Sequence, residues 1–188
     1  MLLMHEREGV DEYGLPLGVL GAHPNEFYSA IGRVVCVCAV LEAKVTSLRH
    51  TLERSGQGSF TNQPVGQQII RVRDLSRRLP EPGPDRIGAF CDGAAAAFDR
   101  RNELVHSSFP AQPDGRLWGH RPARDKGTTD GSAQTVETTI EELRDFISQL
   151  AQLVRDFNAI HSLASSGDET SAHAAGRIVG RRMPPHPE

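Results

Sequence analysis

NEFYSAIGRVVCVCAVLEAKVTSLRHTLER, residues 25–54, decides the fold. Its apolar positions are Phe27, Ile31, Val34, Cys38, Leu41, Val45, Leu48 and Leu52. The steps between them alternate four and three without a break, the stripe of a long helix packing lengthwise on others. Asn25 suits the N-cap, and Ser55-Gly56 suits the stop. At 1.5 Å per residue the rod is about 45 Å long. One short partner cannot cover such a rod, so it calls for a bundle or a dimer.

The same reading extends along the chain. After a loop from Gly56 to Gln63, a second helix is predicted over about Pro64 to Leu79. Val65, Ile69, Val72 and Leu79 mark one side, and Arg71, Arg73, Arg77 and Arg78 a solvated other face. Pro80-Glu81-Pro82-Gly83-Pro84 breaks the chain. A third helix starts near Asp85 and buries Ile87, Cys91, Ala94 and Phe98, with Arg101 and Val105 at the same spacing. Arg116 to Arg121 and Ala133 to Glu137 read as a short strand and its return. Thr139-Ile140-Glu141-Glu142 is a capping-box pattern that opens the last helix, expected to reach about Leu163. The fold class is therefore mainly α: a four-to-five-helix up-down bundle, with a long first helix and a small hairpin-like insertion before the last. Residues 1–23 read as an irregular lead-in, 24–163 as the helical domain and 164–188 as a disordered, Gly-, Ser- and Arg-bearing tail.

Composition narrows the function. The 188 residues carry a formal net charge of −3, with 38% hydrophobic, 24% charged and only 5% aromatic residues. That balance lacks the general positive footprint of a nucleic-acid-coating protein. Of 21 cationic side chains only Lys44 and Lys126 are lysine, so any contact with a polyanion is local and built on arginine. No apolar run approaches the roughly 20 residues of a membrane span. Met1-Leu2-Leu3-Met4 followed by His5-Glu6-Arg7-Glu8 does not read as a signal peptide, so a cytoplasmic protein without membrane partners is expected. Cys36, Cys38 and Cys91 have no zinc-site spacing and read as small core residues. No metal and no cofactor is expected.

The chemistry concentrates in Arg100-Arg101-Asn102-Glu103-Leu104-Val105-His106-Ser107-Ser108. Arginine grips phosphate through a planar fork of donors, and histidine moves protons near neutral pH. With this many Arg and 8 His, roughly two Arg/His pairs at that separation arise by accident. Arg101/His106, Arg100/His106, Arg155/His161 and Arg181/His186 all qualify, so placement must choose. Arg101 sits on a core-facing register, where an unpaired guanidinium needs an anion, a carboxylate or a solvent-filled cleft. Asn102 follows it directly, and Asn102 and His106 are spaced i, i+4 and address one side.

With these residues the chain resembles the HEPN superfamily, whose ribonuclease members carry an Arg-x4-6-His motif with a polar residue often after the Arg. Arg101-Asn102-Glu103-Leu104-Val105-His106 has that form, and the resemblance covers roughly residues 25 to 163. It implies a metal-independent endoribonuclease that dimerises so that two motifs face one cleft, cutting RNA through attack by its own 2′-hydroxyl. On that resemblance His106 is the general acid or base, Arg101 holds the scissile phosphate, and Asn102 orients the phosphate or His106. Glu42, in Val40-Leu41-Glu42-Ala43, matches the acidic residue that often faces the motif. Ser107 and Arg100 are candidate phosphate contacts. A toxin or phage-defence effector, with an antitoxin or regulatory protein as partner, belongs to the same expectation.

A purely structural account of the same residues stays open. His106 can cap a helix C-terminus, and Arg101 can join Glu42 in an interhelical ion pair. The chain is then a non-catalytic helical module for dimerisation or partner binding. Trp118, with His120 and Arg121, either covers the end of a bundle or offers an edge on which RNA stacks. A DNA-binding helix-turn-helix fits poorly, because it needs a short recognition helix after a tight turn.

Overall fold

The long apolar stripe folds as its spacing predicts, into α1, Asn25–Glu53. It is followed by α2 (Val65–Ser76), α3 (Gly83–Val105), β1 (Leu117–Pro122), β2 (Ala133–Thr138) and α4 (Ile140–Val179). The structure is a computed structural model that describes residues 9–11, 13–16, 23–53, 63–110, 115–122 and 133–179. The chain is mainly helical, with a two-stranded antiparallel hairpin before the last helix. It divides into two compact units. The first joins Met1–Ala39 to Ala97–Ala151, and the second joins Val40–Ala96 to Gln152–Glu188.

In the first unit the core gathers Phe27, Val34 and Cys38 from α1, Phe98 and Leu104 from α3, and Leu143, Phe146 and Leu150 from α4. Leu117 and Val136 add the inner face of the hairpin. Strands β1 and β2 pair Trp118 with Glu137, Gly119 with Val136 and His120 with Thr135. At Gly119 an added Cβ would lie 2.8 Å from the Phe109 ring. Only glycine lets the strand approach that ring so closely. The capping box is present: Thr139 N–H donates to Glu142 Oε2 and Glu142 N–H to Thr139 Oγ1, both at 3.1 Å. Each bond satisfies a donor that the first turn of α4 would otherwise leave without a helical acceptor.

The second unit buries Leu41, Val45, Leu48, Ile69, Val72, Ile87, Phe90 and Phe157. Inside it lies a polar cluster that the periodicity does not announce. Arg49, 3% exposed, donates from Nη1 to Gln63 Oε1 at 2.9 Å and has Glu53 Oε2 3.7 Å from its Nε. Thr46 Oγ1 donates to Gln68 Oε1 at 2.9 Å, and Gln68 Nε2 donates to the Gln63 carbonyl at 3.0 Å. The arginine face of α2 is tied to carboxylates: Arg71 to Glu53 at 3.1 Å, Arg77 to Asp74 at 3.5 Å, and Arg73 to Asp92. That leaves it less suited to gripping a polyanion.

Three expectations change. Helix α4 runs on to Val179, past the expected end near Leu163 and into the stretch expected to be disordered. Ala164, Ala172, Ala174 and Ala175 favour helix there, and no proline intervenes before Pro184. Cys36 is exposed, while Cys38 and Cys91 are buried. Val105 was expected in the core but is 39% exposed, and Leu104 is buried at 2%. Toward the end of α3 both Ala97 and Phe98 are buried, and seven residues on the burial continues at Leu104 and not at Val105. No helix among the described residues is long and apolar enough to cross a membrane.

Candidate functional site

Helix α3 ends at Val105, and His106 N–H closes its last turn on the Asn102 carbonyl at 3.1 Å. The three residues that follow are each held by a different part of the first unit. Ser107 Oγ donates to the Glu103 carbonyl at 2.5 Å. Ser108 and His120 exchange two backbone hydrogen bonds, of 2.9 and 2.8 Å, which joins this loop to β1. The Phe109 carbonyl accepts from His23 Nε2 at 2.7 Å. A carbonyl can only accept, so that ring nitrogen carries the proton. The Phe109 ring also meets Phe27 edge-on at 5.2 Å. His106 thus begins a well-anchored loop, while its own ring is exposed and has no partner among the described residues.

Arg101 is half-buried, on the arc that Ala97 and Leu104 define. Its Nη1 donates to Asn102 Oδ1 at 2.9 Å, and its buried Nε–H has no hydrogen-bond partner. Arg101 forms no ion pair among the described residues. A permanently charged group with a buried, unanswered donor is costly, because water has been removed from it without replacement. The Nε of Arg49, Arg73 and Arg121 is likewise without a hydrogen bond, but Arg49 and Arg73 each have a carboxylate beside them. With Oδ1 of Asn102 engaged, the NH2 group of that side chain remains as a donor.

Arg100 is engaged differently. Its Nη1 meets Glu103 Oε2 at 3.1 Å and its Nη2 meets Thr138 Oγ1 at 3.3 Å. It ties the helix to the end of β2, so its fork is already occupied. The Ser107 hydroxyl proton is likewise committed to the Glu103 carbonyl. Glu42 falls in the second unit, half-buried, with its carbonyl accepting from Thr46 Oγ1 at 3.0 Å. Arg101, Asn102 and His106 are therefore the motif residues whose side chains keep donor capacity to spare among the described residues.

The competing pairs fare otherwise. Arg155 donates to Gln152 Oε1 at 2.8 and 3.2 Å, and the His161 ring meets Thr51 Oγ1 at 2.9 Å. Each is used where it stands. Arg181 and His186 lie outside the described residues. The Cys91 thiol is no nucleophile near neutral pH. Burial pushes it up to about 11, Arg73 pulls partly back, and Asp92 adds to the rise.

Beside the motif runs a groove of about 280 Å³, walled by Tyr28, Ile31 and Val35 of α1 and by Leu104, Val105, Ser107 and Ser108. His106 stands in the chain between two of these lining residues. Little in the sequence pattern signals the groove or the anchors of the loop. A backbone rung such as Ser108–His120 leaves no side-chain pattern, although His23-Pro24 just before a helix is a weak signal for the His23 contact.

No family model, curated protein or solved structure matches the chain. The functional reading therefore rests on the residues themselves.

Proposed function

We propose that the end of α3 is the active site of a metal-independent endoribonuclease of the HEPN type. One observation carries this reading: the half-buried Arg101, without an ion pair among the described residues, stands five residues before the exposed His106, whose ring has no partner among them. In the reaction, the RNA 2′-oxygen attacks the adjacent phosphorus and the bond to the 5′-oxygen breaks. The products are a 2′,3′-cyclic phosphate and a free 5′-hydroxyl. His106 takes the proton from the 2′-hydroxyl or delivers one to the leaving oxygen. Arg101 and the Asn102 NH2 group hold the non-bridging oxygens and offset the charge that builds on them. Two motifs meeting in a homodimer, and Glu42 as their acidic companion, enter through the resemblance.

The test is cleavage of single-stranded RNA by the purified protein in EDTA. Wild-type protein should leave cyclic-phosphate ends, and both Arg101→Ala and His106→Ala should lose at least about 100-fold in rate. Growth arrest on expression, relieved by His106→Ala, would be the cellular counterpart. The exposed apolar side chains Val35 and Val105 along the groove favour a second reading, a non-catalytic dimerisation or partner-binding module. A protein that dimerises and leaves RNA intact under all conditions would establish that second reading instead.

A further inference from the structure

The hairpin carries a pair of rings that the proposed reaction does not use. On β1, Leu117 and Gly119 turn to the buried side, so Trp118 and His120 share the opposite face. Their rings meet edge to face with centroids 4.2 Å apart, and both side chains are half-buried. The strand opposite contributes Thr135 and Glu137 to that face, both exposed. The ring pair is therefore bordered across the hairpin by polar side chains, with no aliphatic cover from β2 among the described residues.

The same face is joined to the motif through backbone. His120 pairs with Ser108, two residues beyond His106, and directly paired residues place their side chains on one side of the ladder. Chain steps of 3.8 Å, a paired distance of about 5.5 Å and strand steps of about 3.3 Å put Trp118 at most about 20 Å from His106 along this path. That is within the span of the few nucleotides flanking a scissile phosphate.

We infer that Trp118, braced by His120, is a stacking platform for a nucleobase of single-stranded RNA flanking the phosphate held at Arg101 and His106. This rests on the ribonuclease reading. An indole face accepts any base, since every base has a π-face, and it gives binding without sequence readout. The Glu137 carboxylate opposite Trp118 repels phosphate, so this face suits the uncharged base and leaves the backbone to the arginine. Ser108 and Thr135 supply hydroxyls beside His120 for the edge of the base.

Trp118 is the single tryptophan of the chain, so its emission reports this position alone. The experiment uses the full chain carrying His106→Ala, in EDTA, titrated with a 12-nucleotide oligoadenylate. Binding is followed by anisotropy of a fluorescein-labelled copy, and stacking by Trp118 emission with the unlabelled one. Saturable quenching is expected, with the same midpoint as binding. Adding Trp118→Ala should weaken binding about 5- to 30-fold, whereas Trp118→Phe, which keeps an aromatic face and the hairpin, should cost less than about threefold. The inference is overturned if RNA binds while Trp118 emission stays constant, or if Trp118→Ala binds as tightly as its parent. If the oligonucleotide does not bind at all, the ribonuclease reading falls with it. If Trp118→Ala in the chain that keeps His106 cuts RNA at the wild-type rate, only the platform falls.

Discussion

Arg49 and Arg101 are both withdrawn from water, and their surroundings treat them in opposite ways. Arg49, in the second unit, has Glu53 beside its Nε and Gln63 on its Nη1. The Nε of each makes no hydrogen bond, but Arg49 has the Glu53 carboxylate beside it, whereas Arg101, in the first, has a neutral carboxamide on Nη1 and no ion pair among the described residues. A buried cation that only holds a fold together is supplied with a carboxylate and acceptors, because an unanswered one costs stability. The incomplete shell of Arg101 is what the proposed phosphate contact would complete. The same contrast separates His161, bonded to Thr51, from His106, whose ring has no partner among the described residues.

The largest effect that can break this contrast is catalytic. His106→Ala should abolish RNA cleavage by at least about 100-fold while leaving the melting temperature unchanged, since its ring supports nothing in the fold. A comparable loss of stability would return His106 to the role of a helix cap. Next comes stability itself. Arg49→Met should cost about 3 kcal/mol in urea unfolding, because Glu53 and Gln63 lose their partner. Arg101→Met should cost less than about 0.5 kcal/mol or stabilise, since it removes an unanswered donor and keeps apolar volume. Equal losses for the two variants would erase the difference between the sites.

Smaller effects sharpen the comparison. Gly119→Ala forces its methyl against the Phe109 ring and should cost about 1–3 kcal/mol, with RNA cleavage falling as the loop after His106 shifts. Cleavage untouched by a destabilised hairpin would uncouple β1 from the motif. In the second unit, the Cys91 thiol keeps its proton up to about pH 11, whereas an unfolded thiol, ordinarily titrating at 9.0, loses it earlier. Between those values the unfolded state binds fewer protons, so stability falls as pH rises. Urea midpoints measured from pH 8 to 11 should decline less steeply in Cys91→Ala than in the wild type.

Periodicity makes the helices, the hairpin and the capping box at Thr139 legible in the sequence. Those signals are local: a stripe at 3.6 residues per turn, a run of prolines, a Thr and a Glu three apart. Arg101 was legible too, as a charge at an apolar position. What the chain concealed was long-range. One partner of Arg49, Gln63, stands fourteen residues along the chain, and the seat of His106 depends on His23 and His120, which no spacing links to it. Val105 and Leu104 show a further limit, since a helical stripe drifts and neighbouring residues exchange burial within one turn.

Gly119 has a consequence for how the hairpin finds its alignment. Sliding β1 by one residue would bring the Cβ of Trp118 or His120 into the space of the Phe109 ring. The wrong alignments are thus rejected by collision, and the missing side chain serves as an index mark that sets which rung meets Ser108.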